Sequence, residues 1–151
     1  MRILAYKGIS PISKAIRWQT RSEFSHIAVE LDDGSVVEAW HKGGVQHARN
    51  FRENHTAGTR VSAYNIAWKF NEPAAVEWLL EQTGKKYDFS SVFRFMTRRD
   101  APANDKWFCS ELAETAMLKG GLRLLNGNPS HHSPRDTVMS PILTISEVLI
   151  C

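Results

Sequence analysis

The chain has 151 residues, 42% of them hydrophobic, which suits a single domain over residues 1–151 able to bury a core without covalent staples. Its formal charge of +3 is small and its basic residues are scattered apart from Arg94, Arg98 and Arg99, so the dense stripe of a nucleic-acid footprint is missing and no nucleic-acid partner is expected. Two cysteines, Cys109 and Cys151, exclude a disulfide scaffold, and no stretch approaches the ~20 apolar residues of a membrane span.

Residues 2–6 read as a short strand, too brief in its apolar part to be the core of a signal peptide. Synthesis as a soluble cytoplasmic protein is the expectation, and delivery to the cell envelope by another system would leave no mark in the sequence. Ser10 and Pro11 then cap and open a short helix through Trp18. Two alternating runs follow, Ser25 to Leu31 and Ser35 to Trp40, joined by Asp32-Asp33-Gly34. This is a hairpin signal. A three-residue loop with Gly34 in the left-handed position pairs Leu31 with Ser35 and Ala28 with Glu38. Ile27, Val29, Leu31, Val37 and Ala39 then share one face, while His26 and Glu38 become diagonal neighbours on the other. A two-residue loop would put Glu38 among the aliphatic side chains, at a cost of about several kcal/mol.

A further strand is predicted over 60–66, and a helix over 72–83 with Val76, Leu79 and Leu80 on one stripe. Asp88 is placed to cap another helical segment over 89–98, with Phe89, Val92, Phe93 and Met96 on one face. Next comes Trp107-Phe108-Cys109-Ser110-Glu111-Leu112, where an irregular stretch turns into an amphipathic helix with Leu112, Ala113, Ala116 and Met117 inward and Gly120-Gly121 as its stop. Residues 126–136 read as loop, and 142–150 as a last strand or short helix.

A thiol at a helix start is a candidate nucleophile, because the local positive potential favours its anion and can lower its pKa below about 8.5. Such chemistry needs a base and a group to orient it. Of the six histidines, His26 has a strand to define its direction, whereas His41, His47, His55, His131 and His132 fall in loops or strand ends. Cys109, His26 and Glu38 are therefore the candidate catalytic residues, with a thiolate–imidazolium pair expected. Taken singly, each has a plainer reading as a buried apolar cysteine, a structural histidine or a solvated glutamate. A zinc site of histidines with Cys109 is disfavoured, since no CxxC, HxxxH or HExxH spacing occurs, and no cofactor or metal is implied.

In order along the chain, Ser22-Glu23-Phe24-Ser25-His26-Ile27-Ala28-Val29, Val36-Val37-Glu38-Ala39, Gly84-Lys85-Lys86-Tyr87-Asp88 and Trp107-Phe108-Cys109-Ser110-Glu111-Leu112 resemble the YiiX-like, circularly permuted branch of the NlpC-type papain-like superfamily. The resemblance implies an α+β permuted papain-like fold, a small antiparallel barrel-like sheet packed on helices, with the nucleophile at a helix N-terminus. It also implies thiol hydrolase chemistry, with Cys109, His26 and Glu38 at the family's catalytic positions and an amide bond, as in a cell-wall peptide, as the target. Permuted relatives are also similar to lecithin:retinol acyltransferases, so a lipid or acyl-amide hydrolase or acyltransferase is the alternative. A non-catalytic binding module is the third.

Overall fold

The computed structural model describes residues 1–90 and 105–151. Six strands form one antiparallel sheet: β1 (Arg2–Lys7), β2 (His26–Glu30), β3 (Val36–Trp40), β4 (Gly44–Ala48), β5 (Arg60–Ile66) and β8 (Leu143–Ile150), in the order β4-β3-β2-β1-β5-β8. Two short strands, β6 (Lys86–Tyr87) and β7 (Lys106–Trp107), pair in parallel beside it. The helices are α1 (Pro11–Thr20), α2 (Glu72–Glu81), α3 (Cys109–Lys119) and the short α4 (Pro134–Val138).

Strand periodicity divides the side chains between two cores. Ile3, Ala5, Ile27, Val29, Val37 and Ala39 face one way, and α3 covers them with Leu112, Ala113, Ala116 and Met117. Leu4, Tyr6, Ala28, Val36, Val61 and Ala63 face the other way, against Phe51, Leu149 and Cys151. Both faces of β1, β2 and β3 are buried, while the outer strand β8 is largely exposed.

The hairpin has the expected register. Val29 pairs with Val37 and Glu30 with Val36, and the Leu31 N–H donates to the Ser35 carbonyl at 2.8 Å. Gly34 closes the loop at φ 82°, a left-handed conformation open to glycine without strain. The Asp33 carboxylate supports the turn by accepting from the Ser35 N–H and hydroxyl.

Helix α1 begins as expected, with the Ser10 hydroxyl accepting from the Ser13 N–H. Helix α2 differs in rotation. Its buried residues are Ala75 and Leu79, while Leu80 is exposed. The small Ala75 lets the helix lie close to Gly120 at the end of α3, where a side chain on Gly120 would meet Phe70, the Asn71 carbonyl and Ala75. Most of the helical segment read over 89–98 lies outside the described residues; within them, Asp88 accepts from the Ser90 N–H and hydroxyl.

Residues 142–150 resolve as a strand, since Leu143–Ile150 pairs along β5 with a bulge at Ala63/Tyr64. Strand β4 was not legible in the sequence. It is tied to the segment before β6 by the Val45 N–H to the Lys85 carbonyl and the Gly84 N–H to the Val45 carbonyl, each at 2.8 Å. Gly44 permits that approach: a Cβ there would lie 2.0 Å from the Lys85 oxygen.

Candidate functional site

The polar face of the hairpin carries a closed cluster. His26 opens β2 and Glu38 lies in β3, and the extended register brings His26 Nε2 to 2.6 Å from Glu38 Oε2. The same oxygen lies 3.1 Å from His55 Nε2, and Asn54 Nδ2 donates to Glu38 Oε1 at 2.8 Å. Asn54 and His55 come from the loop between β4 and β5. The cluster is packed as well as bonded: Tyr6 stacks on His55 with ring centroids 3.8 Å apart, and Trp40 meets both imidazoles edge-on.

Glu38 is 1% exposed. Burial penalises its anion, but hydrogen bonds from His26 and His55, together with their charge interactions, more than offset that penalty and hold its carboxyl below the usual range. An ionised carboxylate can only accept, so both Nε2 atoms carry hydrogen. Burial lowers the His26 pKa despite the raising effect of Glu38, which leaves a neutral imidazole at pH 7. His26 Nδ1 has no hydrogen-bond partner among the described residues.

The cluster opens on a cavity of about 230 Å³. His26, His55, Tyr6 and Trp40 form part of its wall, while Ser10, Ser13, Thr56, His41 and Lys42 make the rest polar. Burial and the neighbouring Lys42 lower the pKa of His41.

Cys109 is the first residue of α3, as the sequence predicts, but its surroundings are not those of a free thiolate. It is 1% exposed in the apolar core with Ile27, Val29 and Leu112, and it does not line the cavity. Burial pushes the thiol pKa up to about 12, against the lowering effect of backbone N–H groups of Ile27, Ser110 and Cys109 itself. The helix cap, Phe108, has no side-chain acceptor, so the sulfur itself faces the first N–H groups of the helix. The negative charge of Glu38 also raises the thiol pKa. The expected thiolate–imidazolium pair is therefore replaced in the resting state by a thiol and a neutral imidazole, because depth of burial outweighs the helix potential. Cys109 Sγ makes no hydrogen bond to His26, although it meets the N–H of the next residue, Ile27.

Sequence reasoning places His26 beside Glu38 and misses Asn54 and His55. Their loop has no periodicity to orient a side chain, and its position follows from long-range pairing. His26, Glu38 and His55 are also the group among the described residues whose donor atoms could hold a metal ion, all lying within 4.8 Å of one another. Two imidazoles and a carboxylate are a donor set that suits a divalent transition metal.

A second buried polar group lies behind α3. Glu114 accepts from Thr137 Oγ1 and contacts His132 Nδ1, each at 2.6 Å, and the Ser110 hydroxyl donates to the His132 carbonyl. This group fastens α4 and the preceding loop to α3. A glutamate in the middle of a helix carries no sequence signal for such a role.

No family model matches the chain, and no curated protein matches it. Among solved structures, the crystal structure of metalloprotein YiiX from Escherichia coli O157:H7 is similar, with a TM-score of 0.68 and 19% identity over 97% of this chain and 94% of that one. No helix among the described residues is long and apolar enough to cross a membrane. At this level of identity the likeness shows the architecture, and the chain has a YiiX-like fold in which an antiparallel sheet packs against helices.

Proposed function

We propose that the protein is a cysteine hydrolase that cleaves an amide bond in a peptide, built on a permuted papain-like fold of the NlpC type. Cys109 is the nucleophile, His26 the general base and Glu38 the group that orients it. The observation that carries this reading is the 2.6 Å contact between His26 Nε2 and Glu38 Oε2. It fixes the tautomer and leaves Nδ1 as the nitrogen that takes a proton, while the sulfur sits against the N–H of the adjoining residue.

The protonation states define the chemistry. With a protonated thiol and a neutral imidazole at rest, the proton moves from Sγ to Nδ1 as sulfur attacks the carbonyl carbon. Glu38 stabilises the imidazolium that forms, and the Cys109 N–H at the start of α3 faces the developing oxyanion. His26 then protonates the departing amine, and water resolves the thioester. The sulfur is closed off at rest, so turnover requires a movement that exposes it and joins it to His26. Catalytic hydrogen bonds of this kind commonly tighten only when substrate is bound.

Ser10, Ser13, Thr56 and Lys42 in the cavity wall offer hydrogen-bonding partners for the amide groups of a peptide, beside the apolar surfaces of Ile9, Tyr6 and Trp40. Purified peptidoglycan and acyl-amide lipids, incubated with the protein and analysed by mass spectrometry, provide the test. Release of peptide fragments by the wild type, reduced by about 10⁴-fold or more in Cys109→Ala, is the expected result. Equal release by that variant would overturn the assignment.

A further inference from the structure

We infer that His26, Glu38 and His55 form a binding site for a divalent transition-metal ion, with zinc as its representative. The inference stands on the geometry of three groups and does not depend on the hydrolytic reading, which has no use for His55.

Three observations converge. Both imidazoles aim the same nitrogen, Nε2, at one carboxylate oxygen, at 2.6 and 3.1 Å. All three donor atoms lie within 4.8 Å of one another, so small side-chain shifts would bring each to the roughly 2.0–2.2 Å of a zinc bond. The partners around the ligands are also in place. Asn54 holds the other oxygen of Glu38, Tyr6 and Trp40 fix the ring planes, and the cavity beside His26 and His55 has room for water as a fourth ligand.

Nothing else in the cluster requires a second imidazole. One histidine and Asn54 would already provide the carboxylate with partners on both oxygens, whereas His55 turns the pair into a three-donor set. Sulfur is not part of it, since Cys109 lies in the apolar core. An imidazole that ligates through Nε2 carries its ring hydrogen on Nδ1. An ion there occupies the imidazole that hydrolysis would use, so the metal-bound chain and the hydrolytic chain are alternate states.

Equilibrium dialysis of the full chain against zinc chloride, with the protein-bound metal measured by mass spectrometry, is the first arm of the test. Cobalt(II) absorbance of the wild type is the second. Expected are one zinc per chain, an affinity reduced more than about 100-fold in His55→Gln, an unchanged affinity in Cys109→Ala, and a cobalt spectrum of nitrogen and oxygen ligation without a sulfur charge-transfer band. Binding well below one ion per chain at micromolar zinc, an unchanged affinity in His55→Gln, or a sulfur band in the wild-type cobalt spectrum would overturn the inference. The wild-type spectrum decides the matter even if His55→Gln folds poorly.

Discussion

The two faces of the same hairpin differ more than neighbouring positions in a sequence usually do. Odd-numbered residues Ile27, Val29, Val37 and Ala39 go into a dry core under α3, while His26 and Glu38 go into a bonded polar cluster closed by Asn54 and His55. Both faces are buried, yet the same burial acts in opposite ways. On the polar face the carboxylate keeps its charge because three donors compensate the lost water; on the apolar face the thiol keeps its proton because a few backbone N–H groups do not. Ionisation in this protein therefore follows the number and quality of donors at each side chain, and depth alone does not determine it.

The sharpest way to test that contrast is the reactivity of Cys109. A thiol pushed from 9.0 up to about 12 has roughly 1000-fold less thiolate at neutral pH than an ordinary one. Burial disfavours the anion, so reactivity should stay low through neutral pH and rise only in alkaline solution or on unfolding. Iodoacetamide labelling followed by peptide mass spectrometry measures this, and rapid labelling of the folded chain at pH 7 would remove the distinction between the faces.

A smaller effect is expected from a cavity on the apolar side. Leu112→Ala removes a side chain that is 1% exposed beneath the sheet and should cost about 3 kcal/mol, read from urea unfolding. Smaller again is Glu38→Gln, which keeps the shape and one acceptor but loses the charge that two imidazoles and Asn54 address. A loss of about 1–2 kcal/mol is expected by the same method. If Glu38→Gln proved the more damaging of the two, the polar cluster rather than the core would dominate the stability of the hairpin.

Much of this contrast can be read from the sequence. Alternation in two runs and a glycine that fits a left-handed loop position settle the register, and the register alone puts His26 beside Glu38. The inward set of α3 follows from its period in the same way. Other features depend on contacts that no local pattern encodes. Strand β4 begins at Gly44 and does not alternate cleanly, because its edge is fixed by Lys85 and Gly84 rather than by its own side chains. The buried face of α2 is rotated toward Ala75 by its fit against Gly120. Cys109 is at the expected helix start, but the sign of its pKa shift depends on how fully α3 is covered, which the sequence does not reveal. His55 reads as a loop residue because it is one, and its direction comes from elsewhere in the chain.

The loop carrying His55 is anchored by its far end. The Gly58 N–H donates to the Cys151 carbonyl at 2.9 Å, and the Cys151 N–H donates to the Thr59 carbonyl at 3.0 Å. His26 and Glu38, twelve residues apart, can meet as soon as their hairpin closes. His55 reaches them with its loop fully fastened only after β8 has docked along β5, a closure of far greater sequence separation and correspondingly slower formation. His55 is thus tied to the C-terminal strand as well as to the hairpin, and loosening β8 from β5 is expected to displace His55 while the His26–Glu38 couple stays in place.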